Sequence, residues 1–375
     1  MKPVLFIIPF LITLLSSFCA EAQNNSNPIL TPVPFLTISP DARSGGMGDG
    51  GVAFSDDANT TFWNPARMSF LSQPSNASIS YSPWLRKIIP GSYFGYASFV
   101  QKIDDRNAIG FSIRQLKLGK IDLYDNNAQP LGSYEPNEYS IDASYARTFG
   151  QNFSLALSLR YIHSDISNST AVQEVETKPI NTISTDVSVA YNYPFKDGVY
   201  SFGLDISNIG PKVSYTTGGQ KYFLPINLRL GPSWTFFSEQ FQTTIAFDIN
   251  KLLVPTPPLR DSNGDIIKGR DDNRSVVSGI FGSFSDAPGG FDEELKEVYG
   301  SASLELVYVK RFAMRLGYFY DNKDKGNRQY ATTGIGILLD PININLAYVI
   351  AQQMDSPFAN ALRFSLILHL NENKK

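Results

Sequence analysis

His163 and His369 are the only imidazoles in this 375-residue chain, so acid–base chemistry near neutral pH has few seats. A serine nucleophile needs a base to take its proton, and His163 with Ser167 is the feasible pair. Arg160, Ser164 and Asn168 flank it. Asp261-Ser262-Asn263-Gly264-Asp265 sets carboxylates at the spacing of a calcium loop. Ile266 stands where that loop needs glycine, and no bidentate Glu closes it, so a solvated turn is the plainer reading. Asp292 to Glu297 is an acidic run, read as a hydrated loop end or, second, a partner contact. No Gly-x-Ser-x-Gly, Walker or zinc-ligand pattern occurs. The residues therefore point to no cofactor or metal, and the net charge of −3 points to no nucleic-acid partner.

The elements that would position these residues are strands. Phe153, Leu155, Leu157, Leu159 and Tyr161 alternate with Ser154, Ala156, Ser158 and Arg160. Phe241, Thr243, Ile245, Phe247 and Ile249 alternate with Gln242, Thr244, Ala246, Asp248 and Asn250, and Leu362 to Leu370 repeats the pattern. Side chains alternate across a strand, so each segment has an apolar and a wet face. We count about 14 such segments, most near the roughly 9–11 residues that cross a bilayer as a tilted strand. They begin near Asn76, Ser92, Asn107, Glu138, Asn152, Thr182, Tyr200, Ile226, Phe241, Val298, Ala313, Gln329, Ile342 and Asn360. The segment at Ser92 is the weakest, with aromatic residues on both faces.

The connections alternate between tight and long. Ile103–Arg106, Gly150-Gln151, Pro194–Gly198, Glu239-Gln240 and Asp340-Pro341 are built from turn residues. Gly119–Asn137, Asp165–Asn181, Gly210–Pro225 and Pro255–Glu297 are long. Loops sorted by parity predict a transmembrane antiparallel β-barrel in an outer membrane, with tight turns in the periplasm and long loops outside. A soluble sandwich or propeller would also alternate, but rarely sorts its loops this way. On this reading both mature termini are periplasmic. Arg114, Asp142, Arg160, Asp186, Asp205, Asp248 and Glu305 then line the lumen, pairing with each other and with a plug. His163 faces lipid near the outer rim, and His369 makes a lumen or rim hydrogen bond. The alternative use of such a lumen is gated uptake of hydrophobic molecules, which a polar inner face disfavours.

Residues 1–22 read as a secretory signal: Lys2, an apolar core from Val4 to Phe18, and Ala20-Glu21-Ala22 before the cut. The only cysteine, Cys19, leaves with it. Residues 23–75 are a polar lead-in and a non-alternating, glycine-rich segment suited to plug the barrel formed by residues 76–371. Asp56 or Asp57 is placed to cap a short helix through Asn64, with Pro65 ending or kinking it.

Val33-Pro34-Phe35-Leu36-Thr37-Ile38-Ser39-Pro40-Asp41-Ala42-Arg43-Ser44-Gly45-Gly46-Met47-Gly48-Asp49 closely resembles the N-terminal signature of the PorV (LptO) family. Asp57-Ala58-Asn59, Trp63-Asn64-Pro65-Ala66-Arg67, Tyr81-Ser82-Pro83-Trp84-Leu85 and Pro136-Asn137-Glu138-Tyr139 extend the resemblance. It implies an all-β, 14-stranded, FadL-like barrel with an N-terminal plug, and a non-enzymatic role in the type IX secretion system. Its implied partners are the SprA (Sov) translocon barrel, the C-terminal signal domain of secreted cargo and the PorU-type sortase complex at the cell surface. The motif residues Pro40, Asp41, Arg43, Gly45, Gly46, Gly48, Asp49, Asn64 and Pro65 become the candidate plug site. The run around His163 also faintly resembles lipid A deacylase barrels, with the spacing off by two residues. That leaves an O-deacylase as the alternative activity.

Overall fold

The computed structural model describes residues 27–84, 89–124, 127–166, 176–351 and 361–370; the expected signal at 1–22 lies outside them. Fourteen antiparallel strands close into one barrel. Their order around the wall begins with β1 (Ser75–Pro83), β2 (Tyr93–Lys102), β3 (Asn107–Lys117), β6 (Asn137–Phe149) and β7 (Phe153–Asp165). It continues through β8 (Ile180–Phe195), β9 (Gly198–Ile209), β10 (Asn227–Phe237), β11 (Phe241–Leu252) and β14 (Val298–Tyr308). β15 (Phe312–Tyr320), β16 (Gln329–Leu339), β17 (Ile342–Ala351) and β18 (Leu362–Leu370) complete it. β18 pairs with β1 from Ser75↔Leu370 to Tyr81↔Phe364, so the wall has no free edge. Each strand starts within two residues of the position expected from alternation.

Alternation sorts the faces. On β7, Leu157 and Leu159 face outward while Ser158 and Arg160 are buried inside. The weak segment resolves the same way: on β2, Phe94 and Tyr96 point into the lumen and Tyr93 and Phe99 point out. The inner aromatic rings have partners, because Tyr96 lies 6.4 Å from Phe62 and Phe94 6.5 Å from Trp84.

Small elements inside the long connections have no counterpart in the periodicity. β4 (Ile121–Tyr124) and β5 (Pro130–Tyr134) form one hairpin, and β12 (Leu259–Arg260) and β13 (Ile266–Lys268) another. Two short helices follow, Val276–Gly282 and Phe291–Lys296. Each is too short to display a period. The calcium-spaced carboxylates form the turn of the second hairpin, where Asp261 Oδ1 accepts the amides of Asn263 and Asp265, both at 2.9 Å.

The N-terminal segment fills the lumen. It contains a 3-10 turn at Pro34–Thr37, short helices at Ala42–Gly45 and Thr60–Trp63, and a 3-10 helix at Pro65–Phe70. Its direction is a finding. Asn27 bonds to Pro257 and Asp324, in long connections, whereas the carbonyl of Leu71 accepts from Lys102, beside a tight turn. The chain therefore enters at the long-loop end and threads down to β1. The mature termini themselves, expected in the periplasm, lie outside the described residues; of the described ends, Leu370 lies beside the tight turns and Asn27 at the long-loop end.

Candidate functional site: the plug and the outer cap

The motif residues dock the plug onto the wall by close approach and by charge. Gly48 has φ +69°, and a Cβ there would lie 2.8 Å from the backbone nitrogen of Tyr318 on β15. A Cβ on Gly46 would lie 2.9 Å from the Cα of Gly334 on β16. Only glycine allows backbone to meet backbone at this range. The amide of Gly48 donates to Thr332 Oγ1 at 2.8 Å, and the carbonyl of Met47 accepts from Ser303 at 2.6 Å. Gly45 lies against Arg363, where a Cβ would come 2.7 Å from a guanidinium nitrogen.

Asp41 caps the Ala42–Gly45 helix by accepting the Ser44 amide at 2.9 Å, and its other oxygen accepts Trp63 Nε1 at 2.6 Å. Arg43 donates to Glu305 on β14 at 2.7 and 3.0 Å and pairs with Asp56. Asp49 pairs with Arg363 on β18 and accepts Tyr330 Oη at 2.6 Å. Asp248 of β11 accepts the plug amides of Gly51 and Val52 at 2.8 and 2.9 Å. Pro40 is buried beside them.

One local expectation is corrected. The Thr60–Trp63 helix is capped by Asn59 without a side-chain bond; Asp57 instead accepts the Asn59 amide in a turn before it. The helix does stop before Pro65, with Asn64 extended, and Pro65 also opens the next helix, where its missing N–H costs nothing. Asn64 caps that turn through Ala66 and ties the carbonyls of Val52 and Val189 together at 2.9 Å each. Burial, reinforced by nearby Asp41, pushes the Asp57 carboxyl up to about 7.

The inner wall carries its own ion network. Arg114 reaches Asp142 at 3.2 Å; Asp142 pairs with Arg160, and Arg160 reaches Asp186 at 2.6 Å. Glu305 is shared by Arg43 and by Arg315 of β15, the latter at 2.6 Å. Asp205 accepts Ser188 at 2.7 Å. Alternation puts these carboxylates inside, and Arg229, Arg315 and Arg363 join them in the lumen. Their inward parity was the available signal. Arg229 lies between Phe62 and Trp63, 5.2 and 4.9 Å from their rings.

The acidic run is not a hydrated loop end. Glu294 and Glu297 are buried and hold Lys251 at 3.0 and 2.6 Å. Glu293 and Glu297 hold Lys325 at 2.6 and 2.9 Å, and Glu294 accepts the amides of Asp286 and Ala287. Asn27 joins this cluster through Glu293 and Lys325. The run is the keystone of a cap over the long-loop end. The hydrogen bond and charge of Lys296 hold Asp324 below its usual range; Glu293 is also held low, Lys325 overcoming the upward push of burial.

His163 faces outward as its parity required, stacked on Tyr139 at 4.8 Å and bonded to Asn181 at 2.8 Å. Ser164 turns inward to Glu138 and Tyr215, both at 2.6 Å, on the other face of the strand. Ser167 and Asn168 lie outside the described residues. His369 bonds Asn76 and Asn343, both at 2.8 Å, at the tight-turn mouth. There it lines a cavity of about 280 Å³ with Arg43, Asp56 and Asn343.

The family described as "Type IX secretion system protein PorV" matches residues 21–259. Among curated proteins no relative matches. Among solved structures, the toluene transporter TbuX of Ralstonia pickettii is 12% identical over 89% of this chain and 97% of its own, with a TM-score of 0.52. The CymD monoaromatic hydrocarbon channel is 12% identical over 90% and 99%, with a TM-score of 0.51. A Pseudomonas aeruginosa FadL homologue is 12% identical over 88% and 98%, with a TM-score of 0.49. At this identity the likeness is one of fold.

Proposed function

The chain belongs to the PorV family of type IX secretion system proteins, an outer-membrane β-barrel, and on that premise we propose that its work is binding rather than catalysis. In this reading it holds the C-terminal signal domain of cargo beside the SprA (Sov) translocon and passes it to the PorU-type attachment complex. The long-loop end faces outward and the tight turns face the periplasm. Leu370 then lies on the periplasmic side, while Asn27 lies on the cell-surface side inside the cap.

The observation that carries this reading is the contrast between a filled lumen and an apolar cap. The plug meets the wall through backbone contacts and buried ion pairs, which argues against a route for solute past it. The cap instead exposes Ile266, Ile267, Phe291 and Leu295. Exposed apolar side chains on a cap braced by buried ion pairs suit protein docking. Transport of the kind named for TbuX and CymD would need an apolar way through, and the inner face is polar.

The test is co-purification of the barrel, in detergent, with a type IX signal domain and separately with SprA. A complex with either supports the role, and Phe291→Ser with Ile267→Ser weakens it. Absence of both complexes, with the barrel folded by gel shift, overturns it. For the deacylase alternative, an unchanged lipid A profile in His163→Ala cells excludes that activity.

A further inference from the structure

We infer that the Val276–Gly282 helix and Phe284 lie in the outer leaflet, so that this side of the cap is a lipid-binding element and not a protein-docking one. The helix has two faces. Gly279 is buried, so close to the ring of Phe223 that a Cβ would come 2.5 Å from Cε1, and Val276 and Ile280 pack on the same side. On the other side Val277 and Phe281, four residues apart, are 65% and 75% exposed, and Phe284 follows at 51%. Phe281 is more exposed than Met314 of the lipid-facing wall, at 67%.

What covers such a face is argued from what it adjoins. Val276 and Ile280 belong to one apolar cluster with Ile206 of β9 and Leu228 of β10. Those two residues have the outward parity of the wall, opposite to buried Asp205 and Arg229. The helix is therefore seated, by its buried side, on the same apolar cluster that outward-parity residues of β9 and β10 pack against, which places its exposed face next to the band that meets hydrocarbon. Lys212 supports the same placement: its ammonium lies 5.3 Å from the ring of Phe223 and donates to Asn273 at 2.9 Å. Its charged head thus sits over an aromatic face while it bonds a polar loop atom, as cationic side chains do at an interface. Short amphipathic helices bind at this depth by burying one apolar face.

This inference goes beyond the secretion reading and needs no secretion partner to be tested. The full-length barrel with Cys19→Ala is reconstituted into phosphatidylcholine nanodiscs with a nitroxide at one introduced cysteine. Sites are Phe281→Cys and Phe284→Cys, with Leu316→Cys as the wall reference and Ser262→Cys as the aqueous one. Labels at 281 and 284 are expected to collide with oxygen and to lose collisions with a nickel chelate, matching 316 and opposite to 262. Chelate collisions at 281 and 284 equal to those at 262 overturn the inference and return this face to solvent or to a protein partner. All four positions are exposed, so the substitutions leave the fold intact, and a gel shift checks it.

Discussion

The two sides of the lumen treat their charges differently. On β3, β6, β7 and β8, Arg114, Asp142, Arg160 and Asp186 pair with one another, and the plug offers them only carbonyls and aromatic faces, as where Arg114 meets the Leu36 carbonyl and the Phe62 ring. On β14 to β18, Glu305 and Arg363 take partners from the plug itself, Arg43 and Asp49. The first arrangement stiffens the wall whether or not the plug is present. The second leaves Arg363 without a carboxylate and Glu305 with Arg315 alone unless the plug is seated, so the plug's ion pairs to the wall are concentrated on one side.

The largest effect that could break this contrast is expected at Glu305→Ala. It strands Arg43 and Arg315 without their shared carboxylate, and breaking a buried pair costs about 3–5 kcal/mol. Urea unfolding in micelles should register that loss, and protease should now cut near Asp56. Asp142→Ala should lower stability by a similar amount without exposing the plug. Equal plug exposure in the two variants would erase the distinction.

Next comes Gly48→Ala. A methyl group at φ +69° facing the Tyr318 backbone should cost about 1–3 kcal/mol and loosen the plug selectively. A fully protected plug in this variant would show that the close approach is unimportant.

A pH slope sharpens the comparison further. Asp57 has a folded value raised to about 7 from 3.8, so the folded state holds its proton more tightly than the unfolded chain. Its contribution is complete below about 4 and is lost as pH rises toward 7. Asp57→Asn should flatten the fall in plug stability between about pH 4 and 7; an unchanged slope would remove Asp57 from the account.

The smallest effect belongs to the cap. Asp324 and Glu293 are held low, so the stability they add is present above about 4.5 and is lost as pH falls through their folded values. Lys296, the partner of Asp324, is half-exposed and solvent screens the pair, so the share of Asp324 is a few tenths of a kcal/mol. Protease cleavage of the cap should quicken modestly below pH 4, and less so in Lys296→Ala, which has already lost one pair.

Alternation makes the wall legible in the amino-acid order, because a strand with lipid on one side and a wet lumen on the other must repeat every two residues. It placed all 14 strands, the inward carboxylates and the outward His163. The loss of alternation before residue 76 suggested the plug segment, and the Val33–Asp49 motif carried the family resemblance. What alternation could not carry is any pairing between distant parts of the chain. Arg43 finds Glu305 across 262 positions, and Gly48 finds Thr332 across 284, with no local period to mark either. Glu294 and Glu297 read as solvated because acidic side chains usually are; only the fold brings Lys251 and Lys325 to them. The direction in which the plug threads the lumen is tertiary for the same reason: it depends on which loops receive Asn27, and a polar lead-in carries no periodicity from which to read it.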